Sequence, residues 1–129
     1  MKYLMHRLLT LLMASMAAPA GAQMGPPATL TAQQFASTAT GQSVVLAVRI
    51  NARSRTTLEA ELLDHLDGER YRATGKRVTL YLPAETTFVM GSAADVKSGA
   101  VLAVYAVTTT ANHADVKKVV VITPYASVK

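Results

Sequence analysis

"SVVLAVRINAR", Ser43 to Arg53, is the stretch that decides how this chain folds. Val44, Leu46, Val48 and Ile50 alternate with Val45, Ala47, Arg49 and Asn51, the two-residue period of side chains leaving a strand on opposite faces. β-Branched residues dominate, and their stiff side chains suit a pleated surface. The stretch therefore reads as a strand buried along its even-numbered face. The same period returns in "TTLEAELL" (56–63), where Leu58, Ala60 and Leu62 alternate with Glu59 and Glu61, and in "RVTLYLP" (77–83), closed by Pro83. "TTFVM" (86–90) extends that third strand after a kink. "AVLAVYAVTTT" (100–110) and "VKKVVVIT" (116–123) are apolar enough for burial on much of both faces.

Two short helical signals punctuate the strands. Thr31 with Gln34 three places on is a capping box, each side chain satisfying a backbone donor of the other, and Phe35 is the apolar anchor of the helix it starts. In "GSAADVKSG" (91–99), Ser92 and Asp95 repeat that arrangement, and Gly99 supplies a left-handed stop. With no second long helical pattern, the order helix, three strands, helical turn, two strands predicts a mainly β domain, closed or nearly so, because bare edges invite aggregation. Five main strands with a helical turn between the third and fourth is the order of a small OB-like five-stranded β-barrel, which binds through its second and third strands and adjacent loops. A β-sandwich is the competing arrangement.

The N-terminus predicts a compartment. "MKYLMHRLLTLLMASMAAPAGAQ" has a basic start at Lys2 and Arg7, an apolar stretch from Leu8 to Ala18, and the small residues Ala20-Gly21-Ala22 of a cleavage site. The apolar stretch is too short to span a bilayer, which takes about 18 residues or more. Residues 1–22 are therefore expected to be a signal peptide cleaved after Ala22, residues 23–30 a flexible lead-in rich in Pro and Gly, and residues 31–129 a single domain. The expected localisation is periplasmic or secreted, with no membrane span after cleavage. Removing 22 of 129 residues leaves 107, enough for one core. Without cysteine the chain has no lipoprotein anchor, disulfide or thiolate metal site, so packing must hold it. Lys2 and Arg7 are two of the 13 basic residues, so the processed chain carries +3 where the full chain carries +5, a mild preference for anionic partners.

"TLTAQQFASTATGQ" (29–42) running into "SVVLAVRI", with "ADVKSGAVLAVYAV" (94–107) near the end, resembles the small exported bacterial OB-fold proteins, a group that includes periplasmic stress-associated proteins. The likeness is one of pattern and covers most of the processed chain, except the long section "ARSRTTLEAELLDHLDGERYRATG" (52–75). It implies binding of a small ligand or a partner rather than catalysis, and it transfers no catalytic residue.

The most charged part of the chain is "LLDHLDGERYRATGKR" (62–77). Asp64, Asp67 and Glu69 lack the alternating ligands, central glycine and distant glutamate of a calcium loop. His65 and His113 lie far apart, with no ligand spacing that would hold a transition metal, so no metal or cofactor is expected. Asp67-Gly68 suits the positive backbone angles of a tight hairpin, and Thr74-Gly75 repeats that punctuation. The stretch thus reads as a charged hairpin end. Ser43 and Ser92 lack a nucleophile elbow, and Glu59 and Glu61 are expected to face solvent with nothing to raise a pKa, so no enzyme is expected.

Positive charge is the one patterned feature left. Arg49, Arg53 and Arg55 are evenly spaced and would share a face of an unbroken strand, as would Arg70 and Arg72 around Tyr71. With Tyr81 nearby, paired strands would make a basic strip for an anionic ligand or an envelope protein partner. Interleaved acids, few aromatics and an exported location weigh against nucleic acid. Solubility and edge protection are the plainer use of such arginines. A structural subunit pairing β edges with a partner, without a small ligand, is the alternative function, and oligomeric state is left open.

Overall fold

A computed structural model describes residues 27–110, 112–123 and 126–129. The expected signal peptide, its cleavage point and most of the lead-in lie outside the described residues. Leu30, at the end of that lead-in, is bridged to Leu46, its amide donating to the Val45 carbonyl at 2.8 Å. Helix α1 (Ala32–Ala36) follows, and its capping box forms as expected: Gln34 N–H donates to Thr31 Oγ1 and Thr31 N–H to Gln34 Oε1. Phe35, 5% exposed, joins the core.

Seven strands follow among the described residues: β1 (Ser43–Arg53), β2 (Thr57–Asp67), β3 (Arg70–Tyr81), β4 (Thr87–Val89), β5 (Val101–Thr110), β6 (His113–Val121) and β7 (Ser127–Val128). The expected count of five is thus corrected. The additions are short: β4 is "TTFVM" resuming after the kink, and β7 lies near the C-terminal end of the sequence. The strands form one sheet, not the two of a sandwich, in the order β4-β6-β5-β1-β2-β3-β7. β6 also pairs in parallel with β3, Thr79 opposite His113 and Tyr81 opposite Asp115. The pairings therefore run from β1 through β2, β3, β6 and β5 back to β1. A 3₁₀ turn (Ala93–Asp95) lies between β4 and β5 and ends at Val96, so Gly99 is not its stop: its left-handed φ of +90° serves a separate turn in which Ala100 N–H donates to the Lys97 carbonyl.

The main core lies on one face. Val44, Leu46, Val48 and Ile50 of β1 meet Leu58, Ala60 and Leu62 of β2, Val78 and Leu80 of β3, and apolar residues of β5 and β6. A second cluster occupies the other face around Ala47, Leu63, Tyr71, Ala103 and Ile122, with Ala126 and Val128 packed against it. Strand β7 is held there by Ser127 N–H to the Glu69 carbonyl and Lys129 N–H to the Tyr71 carbonyl.

β3 starts at Arg70, earlier than the alternation in "RVTLYLP" indicated. Asp67 pairs with Arg70, leaving Gly68 and Glu69 as a two-residue turn in which Gly68 carries the positive φ of +51°. Thr74-Gly75 is not a second turn. It is an irregularity inside β3, where the register slips between Glu61 and Leu63 and Gly75 adopts a φ of +80°.

Candidate functional site

The six residues expected to form a basic strip fall into three places, for reasons local to each strand. β1 is not unbroken: its pairing with β2 slips between Ile50 and Ala52, and the strand ends at Arg53. The even spacing of Arg49, Arg53 and Arg55 therefore does not keep them on one face.

Arg49 stands opposite Glu61 and donates from Nη2 to Glu61 Oε1 at 2.9 Å. The other oxygen of Glu61 accepts the Gly75 amide at 2.7 Å. Glu61 is consequently not the solvent-facing carboxylate expected, since its side chain is only 15% exposed. Burial pushes its pKa upward, but the Arg49 hydrogen bond, the Gly75 amide and the charges of Arg49 and Arg77 outweigh that and hold it below the ordinary value.

Arg70 and Arg72 belong to the hairpin end. Arg70 donates from Nε and Nη2 to the two oxygens of Asp67, at 2.7 and 3.1 Å. This exposed fork raises the Arg70 pKa and lowers that of Asp67, through the hydrogen bond first and the opposite charge second. Arg72 Nη2 donates to Asp64 Oδ2 at 3.0 Å, while Asp64 Oδ1 accepts the Ala32 amide at 2.9 Å, pinning the start of α1 to β2. His65 Nε2 lies 2.7 Å from the Gly68 carbonyl, and its ring sits 5.0 Å from that of Tyr71. The charged stretch is the hairpin end it was expected to be. Asp64 is occupied by Arg72 and the Ala32 amide, and Asp67 by Arg70.

Arg53 and Arg55 lie at the opposite end of β2, by the turn that joins it to β1. β2 has 11 residues, so at about 3.3 Å each this end stands on the order of 20 to 30 Å from the Arg70–Arg72 pair. Arg53 Nη1 donates to the carbonyls of Ala93 and Val96 at 2.8 and 2.9 Å. These acceptors are neutral, so they fix the guanidinium without cancelling its charge. Arg55 is exposed and forms no ion pair among the described residues. The two arginines line a cleft of about 270 Å³ with an apolar wall of Leu82, Pro83, Ala84 and Phe88. Tyr81, 48% exposed, stands opposite Thr57 just beyond the same turn.

The apolar wall was missed from sequence. Pro83 was read only as a strand end, and "TTFVM" only as an extension of it. Phe88 lines the cleft because β4 lies alongside β6, where Phe88 is opposite Val119, a placement that no local pattern specifies. Among the described residues no group of three or more His, Asp or Glu side chains is arranged to hold a metal ion, and no helix is long and apolar enough to cross a membrane. No family model, curated protein or solved structure matches the chain.

Proposed function

We propose that this chain is an exported, non-enzymatic binding module built as an OB-like barrel, and that it takes an anionic ligand at the Arg53–Arg55 cleft. The barrel reading is supported by the circuit of pairings through β1, β2, β3, β6 and β5, with the main core inside it and β4 and β7 as short additions. In such barrels the loops beside the second and third strands carry ligands. The β1–β2 turn with Arg55 and Tyr81 is one of these regions.

The observation that carries the ligand class is the contrast among the five arginines. Arg49, Arg70 and Arg72 are each neutralised by a carboxylate, whereas Arg53 is held by carbonyls and Arg55 has no counter-charge among the described residues. Fixed positive charge beside an apolar wall favours binding over proton transfer, because arginine keeps its proton throughout the physiological range.

Titrating the purified chain with heparin at low and high salt tests this. Salt-sensitive binding is expected, reduced about tenfold by Arg55→Ala and little changed by Arg72→Ala. Equal losses in both variants, or no binding at low salt, would refute the site. The alternative, an assembly subunit pairing β edges, predicts instead a salt-indifferent complex by light scattering. The end strands available for it, β4 and β7, have three and two residues.

A further inference from the structure

We infer that the Arg53–Arg55 cleft prefers a small monocarboxylate carrying an apolar body over a polyanion, which it holds only through its charge; this rests on the anion-binding reading above. A polyanion needs a row of free cations along its length, and each cation–phosphate contact adds to the salt dependence of binding. Here the row is broken. Arg49 is bound to Glu61, and Arg70 and Arg72 are bound to Asp67 and Asp64 at the far end of β2. Of these five arginines, Arg53 and Arg55 remain at one spot, enough for one carboxylate. The planar fork of a guanidinium matches the two oxygens of such a group, and Arg53 is already oriented by its two carbonyl acceptors.

Behind the arginines the lining turns apolar. Leu82 is 6% exposed, Phe88 is half-buried, and among the described residues no carboxylate lines the cleft. An anion as small as acetate would leave that wall wet. A body of several methylenes would cover it, each gaining about fourfold in affinity. The cleft is open to solvent on one side, so its volume of about 270 Å³ admits a compact apolar body without fixing its length. The ligand is therefore a carboxylate with an aliphatic or aromatic body that reaches the wall of Leu82 and Phe88.

Calorimetric titration of the full chain with acetate, hexanoate, octanoate and decanoate, with 1-octanol as the uncharged match and heparin as the polyanion, tests this. Affinity is expected to climb from acetate through hexanoate to octanoate by up to about fourfold per methylene, with octanol at least tenfold weaker than octanoate. Arg55→Ala should weaken octanoate about tenfold. Ala84→Trp, at an exposed position on the wall, should abolish octanoate binding while leaving the thermal melt unchanged. A flat carboxylate series, equal binding of octanol, or an Ala84→Trp variant that still binds octanoate would overturn the inference. If heparin binding still depends on Arg55 in that case, the broader anion reading survives. If no anion binds, both fall.

Discussion

Glu61 lies between Arg49 and the Gly75 amide, and both oxygens are used. Removing it leaves a guanidinium and a backbone N–H without their acceptor, and the cost of unpaired donors exceeds the modest value of an exposed ion pair. Glu61→Ala is expected to lower unfolding free energy by about 1 to 2 kcal/mol in urea titration, against less than about 0.5 kcal/mol for the exposed Arg55→Ala. The pH dependence follows from the depressed pKa. In the unfolded chain Glu61 takes up its proton near the ordinary value of 4.5, in the folded chain only below it. Its contribution is therefore complete above the ordinary value and is lost as pH falls through the folded-state pKa. Acid titration of wild type and Glu61→Ala should show the difference in stability shrinking over that window.

At the scale of elements, the sequence period identified the strands wherever one face is buried, and it failed where the buried face changes. Leu62 points into the main core while Leu63 lies in the second cluster, and along β3 burial passes from Tyr71 on one face to Val78 and Leu80 on the other. Thr74 and Gly75 fall between, so the apolar signal disappears in the middle of a continuous strand. Tyr71 is buried because Ile122, Ala126 and Val128 belong to the same cluster, contacts too distant in sequence for a local pattern to report. The arginines show the same limit. Their spacing was visible, but the β1 irregularity and the facing carboxylates were not. The Thr31–Gln34 capping box, by contrast, depends on neighbours three residues apart and was legible in full. Gly91 belongs to the less visible group: a Cβ there would lie 2.6 Å from Val121 Cγ2 and 2.8 Å from Asp95 Oδ2. Gly91→Ala should cost about 1 to 3 kcal/mol by crowding β6 and the 3₁₀ turn, measured by thermal or urea unfolding.

For the whole molecule, the main core draws residues from β1, β2, β3, β5 and β6, so its loss should be shared by all of them. Leu80 is fully buried and lies opposite Leu58 on one side and Ala114 on the other. Leu80→Ala should cost about 2 to 5 kcal/mol and shift one cooperative transition, seen alike by circular dichroism and tyrosine fluorescence. Separate transitions would mean that the five strands do not melt together. The pairing circuit also orders the events of folding. Its β1–β2, β2–β3 and β5–β6 contacts are hairpins between neighbours in the chain, but β1 must find β5 and β3 must find β6 across long intervening segments. High contact order of this kind slows folding, and until those two seams close, the first three strands form a ribbon with bare, sticky margins on both sides. The hazard to this protein is greatest before it is finished: a newly made chain will be lost to aggregation more readily than a mature one.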